Sequence, residues 1–87
     1  SPRLTYLQGD LAGAAGGSFD IITANIVADV IIRLLPQLRG YMADGAIALL
    51  SGIISERSGE VERHIAENGF HVVRKSDSNG WACIVIS

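Results

Sequence analysis

Apolar positions along the chain follow two different periods. Residues 3–8 (RLTYLQ), with Leu4, Tyr6 and Leu7 apolar, predict a short strand of mixed character. Residues 19–24 (FDIITA) are rich in β-branched side chains and predict a second strand. The segment between, GDLAGAAGGS, is a small-residue connection. From Ile26 to Met42 the period lengthens, because Val27, Val30, Ile31, Leu34, Leu35 and Leu38 recur at helical spacing. Pro36 falls inside this pattern and predicts a kinked or split helix. Asp44-Gly45 ends the unit. Residues 46–51 (AIALLS) are then apolar on both faces, as in a parallel strand covered by helices.

A second helix is expected between Ser55 as N-cap and Gly69 as its C-terminal stop, with Glu56 favoured by the helix dipole. It turns Val61, Ile65 and Ala66 inward and its glutamates mostly toward solvent. Residues 70–75 (FHVVRK) and 81–86 (WACIVI) form a hairpin about the turn Ser76-Asp77-Ser78-Asn79-Gly80. WACIVI is apolar on both alternating faces, whereas FHVVRK is interrupted by His71, Arg74 and Lys75. The last strand therefore belongs inside the sheet, between residues 46–51 and 70–75, with its hairpin partner at the edge. The predicted order is β-loop-β-α-β-α-β-β: an α/β fold whose parallel sheet ends in an antiparallel C-terminal hairpin.

Composition narrows the function classes. The 87 residues are 48% hydrophobic and 18% charged, which excludes intrinsic disorder. A formal charge of −2 supplies no basic field for nucleic acid. The apolar runs are far shorter than the roughly 20 residues of a membrane span, so no membrane partner is expected. The single cysteine, Cys83, cannot form an internal disulfide and fits a reducing, cytoplasmic compartment.

The order FDIITANIVA, LLPQL, LLSGI, a glutamate-rich helix, NGF and a closing hairpin resembles the C-terminal part of the ribosomal protein L-eleven methyltransferase family, class I S-adenosylmethionine-dependent enzymes. The most telling pieces are DIITANIVA (residues 20–28), LSGII (residues 50–54) and Gly80-Trp81. The resemblance implies a Rossmann-like sheet of seven strands in the order third, second, first, fourth, fifth, seventh, sixth. Residues 3–8 would be its third strand, 19–24 its fourth and 46–51 its fifth, with the hairpin as sixth and seventh. The first and second strands, the glycine-rich cofactor loop and an acidic ribose-binding residue would then be missing. Gly9, Gly13, Gly16 and Gly17 do not supply that loop, since they lack the G-x-G-x-x-G spacing and lead into a strand. Residues 1–87, which begin Ser-Pro rather than Met, are therefore read as a partial methyltransferase domain. Alone, it is expected to be inactive and to bind S-adenosylmethionine weakly or not at all.

Asn25 is the leading candidate for chemistry. It directly follows a predicted parallel strand, at the carboxyl end where open α/β sheets place ligands. Amine methylation needs a neutral nitrogen lone pair aimed at the methyl group, and a carboxamide can hold an amine N–H through its oxygen. Asn25 could equally cap the helix that follows, and the two roles are compatible. The resemblance implies that Asn25, with Ala24 beside it, lies near the methionine part of the cofactor and the incoming amine. Related amino-methyltransferases carry Asn-Pro-Pro-Tyr here, but Asn25-Ile26-Val27-Ala28 has no aromatic ring. That departure argues against a glutamine or nucleobase target and leaves aliphatic amines. Asp10 is expected either near the cofactor adenine or in a simple loop turn. Ile26, Ser51 and Gly52 are the substrate-side candidates. His64 and His71 have no partner at ligand spacing, so no metal site is expected. Cys83, Trp81, Tyr41, Phe19 and Phe70 read as core.

The expected activity is methylation of α-amino and lysine groups of a large-subunit ribosomal protein. The alternatives are another protein lysine, a small-molecule amine, or a non-catalytic α/β association module. With two strands missing, the 19–24 edge (Phe19 to Ala24) would lie open, so either residues 3–8 pair irregularly against the chain's own sheet or a homodimer forms through that edge.

Overall fold

A computed structural model of the chain describes residues 3–7 and 17–87. Asp10 and most of the small-residue connection lie outside the described residues. The elements are β1 (Leu4–Leu7), β2 (Phe19–Asn25), α1 (Ala28–Leu38), β3 (Met42–Ile54), α2 (Ser58–Glu67), β4 (Val72–Ser78) and β5 (Trp81–Ile86), with single 3₁₀ turns at Arg39–Tyr41 and Ser55–Arg57. They build one sheet in the order β1-β2-β3-β5-β4. β1, β2 and β3 are parallel, and β5 runs antiparallel to both of its neighbours. The last strand is thus internal and β4 is the edge, as the distribution of apolar faces required.

Strict alternation sets the layers. Ile22, Ala24, Ala48, Leu50, Ile84 and Ile86 are buried on one face, against Ile31, Leu34, Leu35 and Leu38 of α1 and Val61 and Ile65 of α2. The alanines let the helices approach the sheet closely. Their alternates Ile21, Thr23, Ile47, Leu49, Cys83 and Val85 are only half-buried, and no described element covers them. Helices of the described residues therefore occupy one side of the sheet only.

Several local expectations are corrected by the structure. α1 is shorter than its apolar pattern, beginning at Ala28 and tightening into the 3₁₀ turn after Leu38, while Pro36 stays inside it. Asp44-Gly45 does not end a unit but lies within the long strand β3, with Gly45 at φ +78°. Ser55 does not cap α2. It opens the 3₁₀ turn, accepts a bond from Ser58 Oγ through its carbonyl (2.9 Å), and donates its own hydroxyl to Asp77 (2.8 Å). Gly69 is the predicted stop: it adopts φ +80°, with Gly69 N–H on the Ala66 carbonyl and Phe70 N–H on the Ile65 carbonyl, each at 3.0 Å. The hairpin turn narrows to Asn79-Gly80, both at positive φ, the form that matches strand twist.

At the sheet edge the structure takes the first of the two expected outcomes, and in regular rather than irregular register: β1 pairs along the 19–24 strand from Leu4↔Ile21 to Leu7↔Ala24. Leu7 is buried, and Arg3 N–H donates to Asp20 Oδ2 at 2.8 Å. Apolar, β-branched β2 is a strong pairing template, and β1 is the segment of the same chain that satisfies it. The strands with one unpaired side are therefore β1 and, at the far edge, β4.

Candidate functional site

The carboxyl ends of β2 and β3 are held together by a short run of polar contacts. Asn25 and Ser51 are register partners at the last pair of the parallel ladder. Ser51 Oγ donates to the Ala24 carbonyl (3.2 Å), and Ile26 N–H donates to the Ser51 carbonyl (3.0 Å). These bonds fix the point where β2 leaves the sheet for α1. Between Leu50 and Ile53, β3 carries one residue more than β5, a β-bulge that contains Gly52 at φ +83°. The extra residue lets Leu50 and Ile53 both face the helices while the strand end bends toward Asn25.

Asn25, Ser51, Gly52 and Trp81 line one open cleft of about 370 Å³. The Asn25 side chain is exposed, and among the described residues no hydrogen bond engages its amide. It does not cap α1, whose N-cap is Val27 without a side-chain bond. Ala24 is 2% exposed with its side chain in the core, so only its backbone can face a ligand. Ile26 is half-buried and packs against the core. Asn25, Ser51 and Gly52 are therefore brought together as read from the sequence, while Ala24 and Ile26 support them from beneath.

Trp81 is the residue that sequence reasoning missed. It was assigned to the core but is 54% exposed at the cleft. A signal was available: in an antiparallel strand beside parallel ones, the first residue lies at the carboxyl ends of its neighbours. Trp81 pairs with Ile54, which is also exposed, and Trp81 itself lines the cleft with Asn25.

Arg57 joins the starts of the two helices at the same end of the sheet. Its guanidinium contacts Asp29 in the first turn of α1 at 2.6 Å and Glu60 in α2 at 2.8 Å. Hydrogen bonds to Glu60 and then Asp29 push its pKa above the ordinary arginine range. Among the described residues no cluster of His, Cys, Asp or Glu is arranged to hold a metal ion, and no helix is long and apolar enough to cross a membrane.

A mixed sheet with one internal antiparallel strand and a polar cleft at its parallel carboxyl ends is the frame of the methyltransferase α/β fold. The tRNA methyltransferase TrmK of B. subtilis shares it, with a TM-score of 0.65 over 93% of this chain and 36% of that one, at 16% identity. A family model narrows the class: Ribosomal protein L11 methyltransferase (PrmA) matches residues 2–87, and the chain belongs to that family. Among curated relatives, the ribosomal protein L11 methyltransferase of Desulfitobacterium hafniense is 40% identical over 82 residues, covering 94% of this chain and 26% of the relative. That of Heliobacterium modesticaldum is 40% identical over 78 residues, covering 90% and 25%. The crystal structure of a ribosomal protein L11 methylase from Lactobacillus delbrueckii subsp. bulgaricus superposes with a TM-score of 0.85 at 33% identity, over 91% of this chain and 40% of that one. The chain thus spans about a quarter of the length of the curated relatives it matches.

Proposed function

We propose that these 87 residues are the amine-positioning portion of an S-adenosylmethionine-dependent protein N-methyltransferase that acts on α-amino and lysine groups of a large-subunit ribosomal protein in the cytoplasm. The observation that carries this reading is the exposed Asn25 carboxamide, set against Ser51 and Gly52 at the carboxyl end of two parallel strands. Its oxygen can accept one N–H of an incoming amine and its nitrogen can donate two bonds, so the amine lone pair can be aimed without any acid or base. Trp81 offers an apolar wall for the methylene stem of a lysine, and its indole face can hold an ammonium until the ammonium gives its proton to solvent water in the open cleft.

A bound S-adenosylmethionine would supply an electrophilic methyl group. The residues present fit one side of such a ligand. Gly52, lacking a Cβ, lets the Asn25 carboxamide lie against its backbone, and both residues line the open cleft. Asp10 is assigned to the adenine side of the site on sequence grounds alone. With these contacts the chain alone would bind the cofactor weakly or not at all and would be inactive.

The uncovered sheet face supports a second reading, in which the chain is an association module without catalysis. Ile47, Leu49 and Val85 are apolar, half-buried and without a covering layer among the described residues. A homodimer through the β2 edge would first require β1 to be displaced.

Grafting these residues into the Desulfitobacterium hafniense relative, in place of its matched segment, separates the two. Methyl transfer to a ribosomal protein substrate, read by mass spectrometry, is expected from the graft and not from the isolated chain. A folded graft with no transfer would refute the enzymatic reading. Calorimetric titration of the isolated chain with S-adenosylmethionine is expected to show no micromolar binding.

A further inference from the structure

The bulge glycine of β3 faces Asn25, whereas a Cβ at Gly40, Gly45, Gly59, Gly69 or Gly80 would meet nothing within 4 Å. A Cβ built on Gly52 would lie 2.5 Å from Asn25 Oδ1 and 3.0 Å from both the nitrogen and the oxygen of Ile26. Real Cβ atoms essentially never approach another heavy atom within 3.0 Å, so an alanine here must move the carboxamide, the Ile26 peptide, or both. The peptide is the stiffer partner, because its N–H is already bonded to the Ser51 carbonyl at 3.0 Å. The Asn25 side chain is exposed and free to rotate about χ1, so the carboxamide is the group that yields.

We propose that Gly52 is a positioning residue whose bare Cα forms the seat on which the Asn25 carboxamide rests. The bulge brings the Gly52 backbone up to the end of β2 and takes the positive φ that glycine adopts without strain. The bare Cα thereby leaves the amide room to lie on the side of the cleft shared with Ser51 and Trp81. A side chain at position 52 turns the amide out of that orientation while leaving the sheet in place. The seat itself is a claim about geometry. Its consequence for methyl transfer rests on the function proposed above.

Positive φ alone must be separated from the contact, and Gly69 provides the control. It has φ +80° against +83° for Gly52, and a Cβ there meets nothing within 4 Å. In the 87-residue chain, Gly52→Ala and Gly69→Ala are both expected to lower the melting temperature. Only Gly52→Ala is expected to shift the Asn25 side-chain NH₂ resonances in a ¹H–¹⁵N spectrum. Unshifted Asn25 resonances in folded Gly52→Ala, or an equal shift in Gly69→Ala, would overturn the proposal. If Gly52→Ala does not fold, the double variant Asn25→Ala/Gly52→Ala decides, because removing the carboxamide should recover part of the lost stability. No recovery would overturn the proposal as well. In an active graft, Gly52→Ala should lower kcat about a hundredfold, with Gly69→Ala near the parent value. A graft inactive in every form counts against the function and leaves the spectroscopic result standing.

Discussion

Ile21 and Ile22 are neighbours in β2 that point to opposite faces of the sheet, so truncating each in turn measures what the helix layer contributes. Ile22 is 0% exposed beneath the helices, whereas Ile21 is half-buried on the face that no described element covers. Cutting a fully buried isoleucine to alanine costs about 2–5 kcal/mol, through lost transfer free energy plus the cavity left behind. At ~0.05–0.15 kcal/mol per residue, a chain of this size has roughly 4–13 kcal/mol to lose, and a sheet packed on one face belongs toward the lower end. Ile22→Ala should therefore remove about half of the stability. Ile21→Ala leaves no enclosed cavity and removes area already partly in water, so about 1 kcal/mol is expected. In urea unfolding followed by circular dichroism, with a slope of about 1–1.5 kcal/mol/M, the Ile22→Ala midpoint should fall below that of Ile21→Ala by roughly 0.7–4 M. Equal midpoints would show that something packs as tightly on the second face as the helices do on the first. That result would refute the one-sided account.

Removing the Ser51 hydroxyl by Ser51→Ala breaks its bond to the Ala24 carbonyl and should cost about 1 kcal/mol in the same assay. Asn79 sits at φ 53° in the hairpin turn, so Asn79→Val should cost about 1–2 kcal/mol and lower the thermal midpoint, with Asn79→Gly near neutral. Arg39 places its guanidinium 4.2 Å from the Phe70 ring and donates to the Gly69 carbonyl, so Arg39→Met should destabilise by about 1 kcal/mol in differential scanning calorimetry. The pKa of Lys75 is raised, first by the hydrogen bond of its ammonium to Glu62 and further by the charges of Glu62 and Asp77, against an opposing effect of desolvation. A raised folded value means that this stabilisation is complete below the unfolded lysine pKa of about 10.4 and is lost as pH rises through the folded value. Lys75→Met should therefore be less stable than the parent at pH 8, with the gap closing above about pH 10.5. A gap that widens with rising pH would contradict the assignment.

Much of this fold could be read from the sequence because it follows from faces. The doubly apolar WACIVI against the interrupted FHVVRK required an internal last strand and an edge partner, and the sheet has that order. The Gly69 stop was equally legible, since a helix end that needs positive φ selects glycine. What stayed open was long-range. Nothing local in residues 3–8 says which strand they pair with, so pairing within the chain's own sheet and a homodimer through the β2 edge stood as alternatives until the ladder between β1 and β2 was seen. At the site, position after a parallel strand located Asn25, and the end of the next parallel strand suggested Ser51 and Gly52. The bulge that presses Gly52 on Asn25 has no sequence signature beyond the glycine, because it arises from a register mismatch between β3 and β5. Trp81 was misread because hydrophobicity alone was weighed, without the direction of its strand.

If the Asn25 carboxamide aims the amine, steady-state methyl transfer by the Desulfitobacterium hafniense graft must depend on it, as Asn25→Ala tests with Ser51→Ala as the comparison. Loss of a group that positions the nucleophile predicts a fall in kcat of about a hundredfold for Asn25→Ala. Ser51→Ala, which only loosens the strand end behind it, should stay within about tenfold of the parent. An Asn25→Ala graft that folds and turns over within twofold of the parent would contradict the account.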